Sequence, residues 1–420
     1  MTLVMSMSVL KRAAATVAAF GVVAALCAPP SSADPAVAVT PPVPMTTPNT
    51  DACPHRTDPP PAVDESEAVA PGVPSPSPLP VPQRPVGGDA LGGCGVVADP
   101  AAGPLPDRLN SSGWLIADLD SGRVIAAKDP HGRYRPASTI KVLLALVVLD
   151  ELDLDSSVEP TPADWSMEGD SCGMGPGGRY TVRDLLTGLL VVSGNDCASA
   201  LAGRLGGHDA ALAKMNAKAA HLGADDTRAA SPSGLDAPGM STSPFDLAVI
   251  FREAMRNPVF RQIVALRTFT FPGYPKRPDV PGDVDHPAWT MHTSNTLLRD
   301  GWPGMLGGKT GYTDDALKTF VGAAERDGRR VIVTQMYGLN EADNMYSQQA
   351  ERMFDYGFAA PPDTSVGTLD VADPPSAAAT TAEPGHDDPS PASVWTAGLV
   401  AFAAVCLTAA AVLWRKRSRR

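Results

Sequence analysis

Proline-rich segments flank the central part of this chain and limit where a packed core can form. The chain has 420 residues and 43 prolines, and residues 34–107 and 359–393 are rich in Pro, Ala, Val and Ser. Stretches such as "TDPPPAV" and "VPSPSPLPVPQRP" are typical of extended, polyproline-like linkers without a core. We therefore expect two linkers around one domain, residues 108–358, which is within the usual size range of a domain.

The beginning of the chain has the pattern of an export signal. Lys11 and Arg12 precede the apolar residues 13–27, a stretch too short to span a bilayer, and the small residues 31–33 follow. A basic region, an apolar region and small residues are the three parts of a signal peptide. Residues 1–33 therefore predict export.

The end of the chain has the pattern of a membrane anchor. Residues 394–414 are apolar and uncharged, with Trp395 and Trp414 near the two ends, and the basic residues 415–420 follow. That length is enough to cross the hydrocarbon core, and a basic cluster stays cytoplasmic. We expect a transmembrane helix over 394–414, a cytoplasmic tail, and a mature protein on the extracytoplasmic face of the cell membrane. A cell-wall sorting tail is the alternative, although no LPxTG-like motif precedes it.

Cysteine usage agrees with export. Two of the six cysteines fall in the predicted signal and span, and four remain for the exported part: Cys53, Cys94, Cys172 and Cys197. An even number in an oxidising compartment suggests two disulfides, for which three connectivities are possible. Sequence proximity favours Cys53–Cys94 and Cys172–Cys197, with the first bridge inside the N-terminal linker.

Charge and histidine spacing exclude two classes of function. The formal net charge of −12 gives no support for nucleic-acid binding. The seven histidines show no metal-ligand spacing, and no CxxC is present. We expect neither a metal nor a cofactor.

The order of predicted elements indicates an α+β domain. Two hairpins are predicted, one around 120–122 and one around 327–328, where Asp-Gly marks the turn. Between them, residues 135–152 and several later segments have helical spacing. Strands at both ends with helices between them predict an antiparallel sheet assembled from distant parts, with an inserted helical region.

Ser138 and Lys141 lie at the first turn of the predicted helix 135–152. Positions i and i+3 share a helix face, so the amine can reach the hydroxyl. A serine needs a base to become a nucleophile, and burial or a second cation would lower the pKa of a lysine enough for it to act as one. The motif alone is weak, because Ser8-Val9-Leu10-Lys11 also matches it and a serine at a helix start is often only a cap.

Two further motifs strengthen this interpretation. Ser193-Gly194-Asn195 ends a helical segment, and Lys309-Thr310-Gly311 precedes the last sheet segment. Singly, the first could be an ordinary turn and the second an exposed strand end. Together with Ser138 and Lys141 they form the ordered set S-x-x-K, S-x-N, K-T-G, which is typical of penicillin-binding proteins and class A β-lactamases.

On these motifs the sequence resembles the serine D-alanyl-D-alanine carboxypeptidases, the low-molecular-mass penicillin-binding proteins. The resemblance covers roughly residues 112–356 and includes "SPSGLDAPGMSTSPFDLAVI" and "SNTLL". It implies a three-layer α+β fold of the β-lactamase/transpeptidase type, in which helices enclose an antiparallel sheet and the helical region carries the S-x-N motif. We expect no counterpart of the family's common C-terminal β-domain, because a Pro/Ala-rich stretch stands in its place.

The resemblance also implies the role of each catalytic side chain. Ser138 would be the acylated nucleophile and Lys141 its general base. Ser193 would relay a proton to the leaving amine, and Asn195 would hold Lys141 and the substrate amide.

The K-T-G motif and the residue after it would bind substrate. Lys309 would lower the pKa of Lys141 and attract the substrate carboxylate, which Thr310 would hydrogen-bond. Gly311 would let the substrate backbone approach. The backbone N–H groups of Ser138 and Tyr312 would form the oxyanion hole.

The implied reaction is removal of the terminal D-alanine from peptidoglycan stem pentapeptides, with β-lactams as covalent inhibitors. No E-x-x-L-N block of the class A β-lactamases lies between Asn195 and Lys309, and Glu253 reads as a helix-surface residue. A D,D-endopeptidase, a weak β-lactamase and a non-catalytic β-lactam or peptidoglycan sensor remain alternatives.

A rival nucleophile is Ser171, within Gly169-Asp170-Ser171-Cys172-Gly173. This G-x-S-x-G pattern needs a strand before it and a helix after it. Neither flank has that pattern, so a loop held by Cys172 is the favoured interpretation.

Overall fold

The computed structural model describes residues 48–371. Eleven strands are present in this part of the chain: β1 Val96–Ala98, β2 Gly113–Asp118, β3 Arg123–Lys128, β4 Ser157–Val158, β5 Tyr180–Thr181, β6 Thr268–Phe271, β7 Trp289–His292, β8 Met305–Thr313, β9 Leu317–Arg326, β10 Arg329–Gly338 and β11 Gly367–Thr368. Nine α-helices accompany them: α1 Lys141–Glu151, α2 Pro162–Trp165, α3 Val182–Val191, α4 Asn195–Arg204, α5 His208–His221, α6 Pro244–Ala254, α7 Pro258–Val264, α8 Thr296–Asp300 and α9 Tyr346–Ala359.

The main sheet is antiparallel, with strand order β1-β3-β2-β10-β9-β8, and β11 also pairs with β3. Both predicted hairpins are present, β2–β3 and β9–β10. The pairing of β2 with β10 brings the two ends of the domain together, with Leu115 opposite Thr334. Because β8 lies at the end of this order, one of its edges is open to a further strand.

The sheet separates two apolar cores, since successive strand residues point to opposite faces. Leu115 and Ala117 of β2 belong to a core shared with α1 and α3–α6. Trp114 and Ile116 of the same strand belong to a core shared with α9. This arrangement confirms the predicted α+β class, with helices on both sides of an antiparallel sheet. The Ser193–Asn195 motif joins α3 to α4, of which Asn195 is the first residue, and so lies in the helical region, as predicted.

The N-terminal segment differs from its prediction. Residues 48–95, here called the strap, pack on the domain, with Leu91 fully buried in the larger core, and β1 follows and pairs with β3. The predicted Cys53–Cys94 disulfide is present and closes the strap. The interpretation of 34–107 as a linker is therefore wrong for its described part, residues 48–107.

The reason lies in the carbonyl groups of the proline-rich backbone. A polyproline-like chain makes no internal hydrogen bonds, so its carbonyls remain free to accept others. Arg133, almost fully buried in the domain, donates to three of them, at distances of 3.0 Å (Thr57), 2.6 Å (Leu79) and 2.9 Å (Pro80). A buried guanidinium needs such partners, and composition alone did not reveal them.

The C-terminal boundary also differs. Helix α9 continues to Ala359, and β11 pairs with β3, so residues 359–371 belong to the fold rather than to a linker. The predicted signal peptide (1–33), the transmembrane helix (394–414) and the basic tail (415–420) lie outside the described residues. Within residues 48–371, none of the helices has the length and apolar character needed to span a bilayer.

Candidate active site

Ser138 and Lys141 meet at the start of α1. Residues Ala137–Ile140 form a 3₁₀ turn that leads into α1, of which Lys141 is the first residue. Lys141 Nζ lies 2.8 Å from Ser138 Oγ. Ala137, just before the serine, has a φ of +46°, a strained conformation for a residue with a side chain, which persists only where the surroundings enforce it.

The amine of Lys141 is fully buried among polar partners. Its Nζ lies 2.7 Å from Asn195 Oδ1 and 2.5 Å from the carbonyl oxygen of Ser233. Burial, and then the positive charge of Lys309, hold the pKa of Lys141 well below its usual value. A neutral amine beside a hydroxyl can accept its proton, so the arrangement is suited to general-base chemistry.

Lys309 of the K-T-G motif contacts Ser193 of the S-x-N motif. Lys309 is fully buried on β8, and its Nζ donates to Ser193 Oγ at 2.9 Å and to the carbonyl of Thr310 at 2.7 Å. Burial lowers the pKa of Lys309 to about 7, and Asp170 acts in the opposite direction. Ser193 itself has a φ of +68°, so both candidate serines lie at or next to strained backbone.

Two glycines allow other segments to pack closely against the turn Ala137–Ile140, here called the nucleophile turn because it carries the candidate nucleophile Ser138. A Cβ on Gly311 would lie 2.8 Å from the backbone nitrogen of Ser138 and 2.4 Å from Thr319 Oγ1. A Cβ on Gly234, which has a φ of +87°, would lie 2.0 Å from the carbonyl oxygen of Ala137. Side chains at these positions would push β8 and the 231–236 loop away from Ser138.

These elements border one cleft of about 480 Å³. Among its lining residues are Ser138, Ser193 and Asn195 together with Thr310, Gly311 and Tyr312. Thr310 Oγ1 donates to Ser294 Oγ at 3.0 Å. The structure thus brings all eight residues singled out from the sequence to a single place, with the two lysines buried beneath it.

Ser233 is a residue of the site that sequence reasoning missed. Its carbonyl oxygen is a partner of Lys141, and its side chain bonds to Ser231 Oγ at 2.9 Å. The "SPSGLD" stretch was identified only as a point of resemblance. Backbone carbonyls have no sequence signature. The signal available in the sequence was Gly234, because glycine often occupies backbone positions with a positive φ.

The predicted Cys172–Cys197 disulfide is wrong. The two residues are buried free thiols with their sulfur atoms 2.8 Å apart. Burial raises the pKa of both, so they stay protonated. The Asp196 carboxylate accepts the backbone N–H of Cys172 at 2.9 Å and so holds the loop.

The rival nucleophile Ser171 belongs to the same loop. It donates its hydroxyl to Asp196 at 2.7 Å, so its partner is an acid rather than a lysine or histidine. Ser171 is not among the described residues that line the cleft. Glu253 lies on α6 and pairs with Arg256 at 2.8 Å, also away from that lining.

Sequence comparison identifies a family that matches this chain. The sequence profile described as D-alanyl-D-alanine carboxypeptidase matches residues 100–339. The D-alanyl-D-alanine carboxypeptidase DacB2 of Mycobacterium tuberculosis is 52% identical over 269 residues, which cover 63% of this chain and 88% of that protein. The D-alanyl-D-alanine carboxypeptidase of Streptomyces sp. K15 is 29% identical, covering 62% and 92%.

Solved structures show the same fold. The crystal structure of the D-alanyl-D-alanine carboxypeptidase from M. tuberculosis H37Rv matches with a TM-score of 0.58 and 50% identity, covering 63% of this chain and 97% of that one. The Streptomyces K15 DD-transpeptidase matches with a TM-score of 0.55 and 28% identity, covering 61% and 99%.

Proposed function

The chain belongs to the D-alanyl-D-alanine carboxypeptidase family, and we propose that it removes the terminal D-alanine of peptidoglycan stem pentapeptides through an acyl-enzyme on Ser138. The observation that carries this proposal is the 2.8 Å contact between Lys141 Nζ and Ser138 Oγ. The fully buried Lys141 has a strongly lowered pKa. A base of that kind is what a serine nucleophile needs.

In the acylation step, the neutral Lys141 amine takes the proton of Ser138, and the freed oxygen attacks the carbonyl carbon between the two D-alanines. The negative oxygen of the tetrahedral intermediate is held by the backbone N–H groups of Ser138 and Tyr312. The C–N bond then breaks as Ser193 passes its hydroxyl proton to the nitrogen of the leaving D-alanine. Ser193 regains a proton from the protonated Lys141, which leaves the Ser138 ester and a neutral amine. Lys309, 2.9 Å from Ser193, is positioned to polarise that hydroxyl.

The C-terminal carboxylate of the substrate would lie against Lys309 and Thr310. The peptide would run along the open edge of β8 as an added strand, with main-chain hydrogen bonds that do not depend on its side chains. Gly311 supports this placement, because its missing side chain lets β8 lie against the nucleophile turn. Water would then hydrolyse the ester, with Lys141 again available as the base.

We also propose that the enzyme is exported and anchored by residues 394–414, so that it works at the outer face of the cell membrane. The apolar stretch and the basic residues after it support this placement. Deleting residues 394–420 should move the protein from the membrane fraction to the soluble fraction. Retention in the membrane after this deletion would contradict the proposal.

The test of the site is covalent labelling followed by peptide mapping. A fluorescent penicillin should label the peptide that contains Ser138, and Ser138→Ala should abolish both labelling and D-alanine release from a pentapeptide. Ser171→Ala is the matched control and should retain both. A label on Ser171, or labelling of the Ser138→Ala variant, would overturn the assignment.

Product analysis distinguishes the alternative activities. A carboxypeptidase releases one D-alanine per pentapeptide, an endopeptidase splits cross-linked dimers, and a transpeptidase transfers the acyl group to an added amine. Labelling at Ser138 without steady release of D-alanine would indicate a sensor, whereas rapid loss of the penicillin label would indicate a β-lactamase.

A further inference from the structure

The strap contacts both sides of the proposed oxyanion hole. Arg135, three residues before Ser138, is almost fully buried, and its guanidinium meets the Glu67 carboxylate with Nε–Oε1 at 2.5 Å and Nη2–Oε2 at 2.7 Å. Its Nη1 also donates to the carbonyl of Pro60 at 2.6 Å. A two-pronged contact of this kind fixes orientation as well as distance.

The same short segment holds the chain after β8. Asp315, three residues after Tyr312, is buried, and its carboxylate accepts the backbone N–H of Val63 at 2.5 Å and the hydroxyl of Ser66 at 3.0 Å. Ser66 and Glu67 are adjacent in sequence. One short stretch of the strap therefore contacts both the chain before Ser138, at Arg135, and the chain after Tyr312, at Asp315.

The turn that carries Ser138 needs such support. Ala137 has a φ of +46°, and a strained residue keeps its conformation only when surrounding contacts over-determine it. Thr319 Oγ1 donates to the carbonyl of Pro136 at 2.9 Å and fixes the turn from the side of the sheet. Arg135 fixes it from the side of the strap.

We infer that Glu67, with Ser66, is a positioning residue for catalysis: the strap holds the two oxyanion-hole N–H groups at the spacing that the tetrahedral intermediate requires. This inference rests on the proposed function, since it presupposes that Ser138 and Tyr312 supply those groups. Glu67 acts through Arg135 and does not touch the substrate. The strap is thus part of the catalytic apparatus, although all of it lies before residues 100–339, which match the family.

The test compares Glu67→Gln with Glu65→Gln in the full chain. Both variants remove one negative charge from the strap, but Glu65 is exposed, whereas Glu67 meets Arg135. We expect Glu67→Gln to lower kcat for D-alanine release by roughly 10- to 100-fold with little change in KM, since the loss falls on the transition state. Glu65→Gln should match the unaltered enzyme, and Glu67→Asp should recover part of the loss.

Two further measurements separate positioning from stability. The active fraction is counted by penicillin titration, and rates are given per active site. A peptide boronic acid, whose tetrahedral adduct occupies the oxyanion hole, should bind Glu67→Gln more weakly by a similar factor. If Glu67→Gln lowers the melting temperature but keeps the rate per active site, the strap contributes only to stability and the inference is wrong. Penicillin uptake by Ser138→Ala would instead overturn the proposed function, whatever the strap variants do.

Discussion

Lys309 and Ser193 are 116 residues apart in the chain, yet Lys309 Nζ lies 2.9 Å from Ser193 Oγ in the interior of the protein. Lys141 is buried in the same region, and the charge of Lys309 contributes to lowering its pKa. Two buried amines that repel each other disfavour the doubly charged state. We propose that this repulsion prepares Lys141 to act as a base.

The pH dependence of acylation should respond to this repulsion. The acylation rate with penicillin should rise with pH as Lys141 loses its proton, with an apparent pKa below the usual 10.5. Lys309→Met removes a nearby positive charge and should move this rise to higher pH. The apparent pKa belongs to Lys141 and Lys309 together, so the quantity to compare is its difference between the two proteins. Mass spectrometry of the penicillin adduct gives the acylation rate at each pH. An unmoved or lower midpoint would contradict the proposed coupling.

Lys309 should also make stability depend on pH. Its pKa is about 7 in the folded protein and 10.5 when unperturbed, so between these values the unfolded chain binds more protons. The free energy of unfolding should therefore rise with pH through this window. Lys309→Met should flatten that rise and increase stability at pH 6 by about 1–4 kcal/mol, as measured by urea denaturation. Lys276→Met, at an exposed lysine, is the control. If the free energy of unfolding rises equally with pH in both variants, the titration of Lys309 is not the cause of the rise.

Gly311→Ala should damage catalysis through geometry alone. The added Cβ would lie 2.8 Å from the backbone nitrogen of Ser138, so β8 or the nucleophile turn must shift. A displacement of about 1 Å can cost about 10²-fold in rate, and we expect a loss of that order in penicillin acylation. Gly203→Ala places its Cβ in open space near the end of α4 and should leave the rate unchanged. Comparable rates in the two variants would show that the close approach is unimportant.

The four cysteines of the described residues should fall into two classes. Cys172 and Cys197 are buried thiols, whereas Cys53 and Cys94 are bonded to each other. Alkylation without reductant should modify Cys172 and Cys197 only after unfolding, and peptide mapping should recover Cys53 and Cys94 as a linked pair. Recovery of a Cys172–Cys197 linked peptide would instead support the sequence-based pairing. Replacing both Cys53 and Cys94 with serine should cost about 2–4 kcal/mol of stability.

Much of the fold and the site could be predicted from the sequence because the relevant signals are local. The hairpins have apolar strands around turn residues, and α1 is an apolar run behind Ser138 and Lys141. The motifs around Ser138, Ser193 and Lys309 are short, and their order along the chain indicated the family. Each signal depends on neighbouring residues and on the side-chain chemistry that they carry.

The errors fell where partners are distant in sequence. The strap has the composition of a linker, yet it folds onto the domain because Arg133 and Arg135 are buried and take carbonyl partners from it. The Cys172–Cys197 pairing was inferred from proximity, which does not determine whether two adjacent thiols are bonded.

The sequence by itself determined which chemical groups this protein can use: a serine, two lysines and an asparagine in a recognisable order. Only the tertiary structure decided their state and their supports, including the burial that lowers the pKa of Lys141, the carbonyl of Ser233 beside its amine, and the contact of Glu67 with Arg135. The physical reason is that a pKa and a backbone position depend on everything within a few ångströms. In a folded chain those neighbours come from residues that lie far apart in sequence.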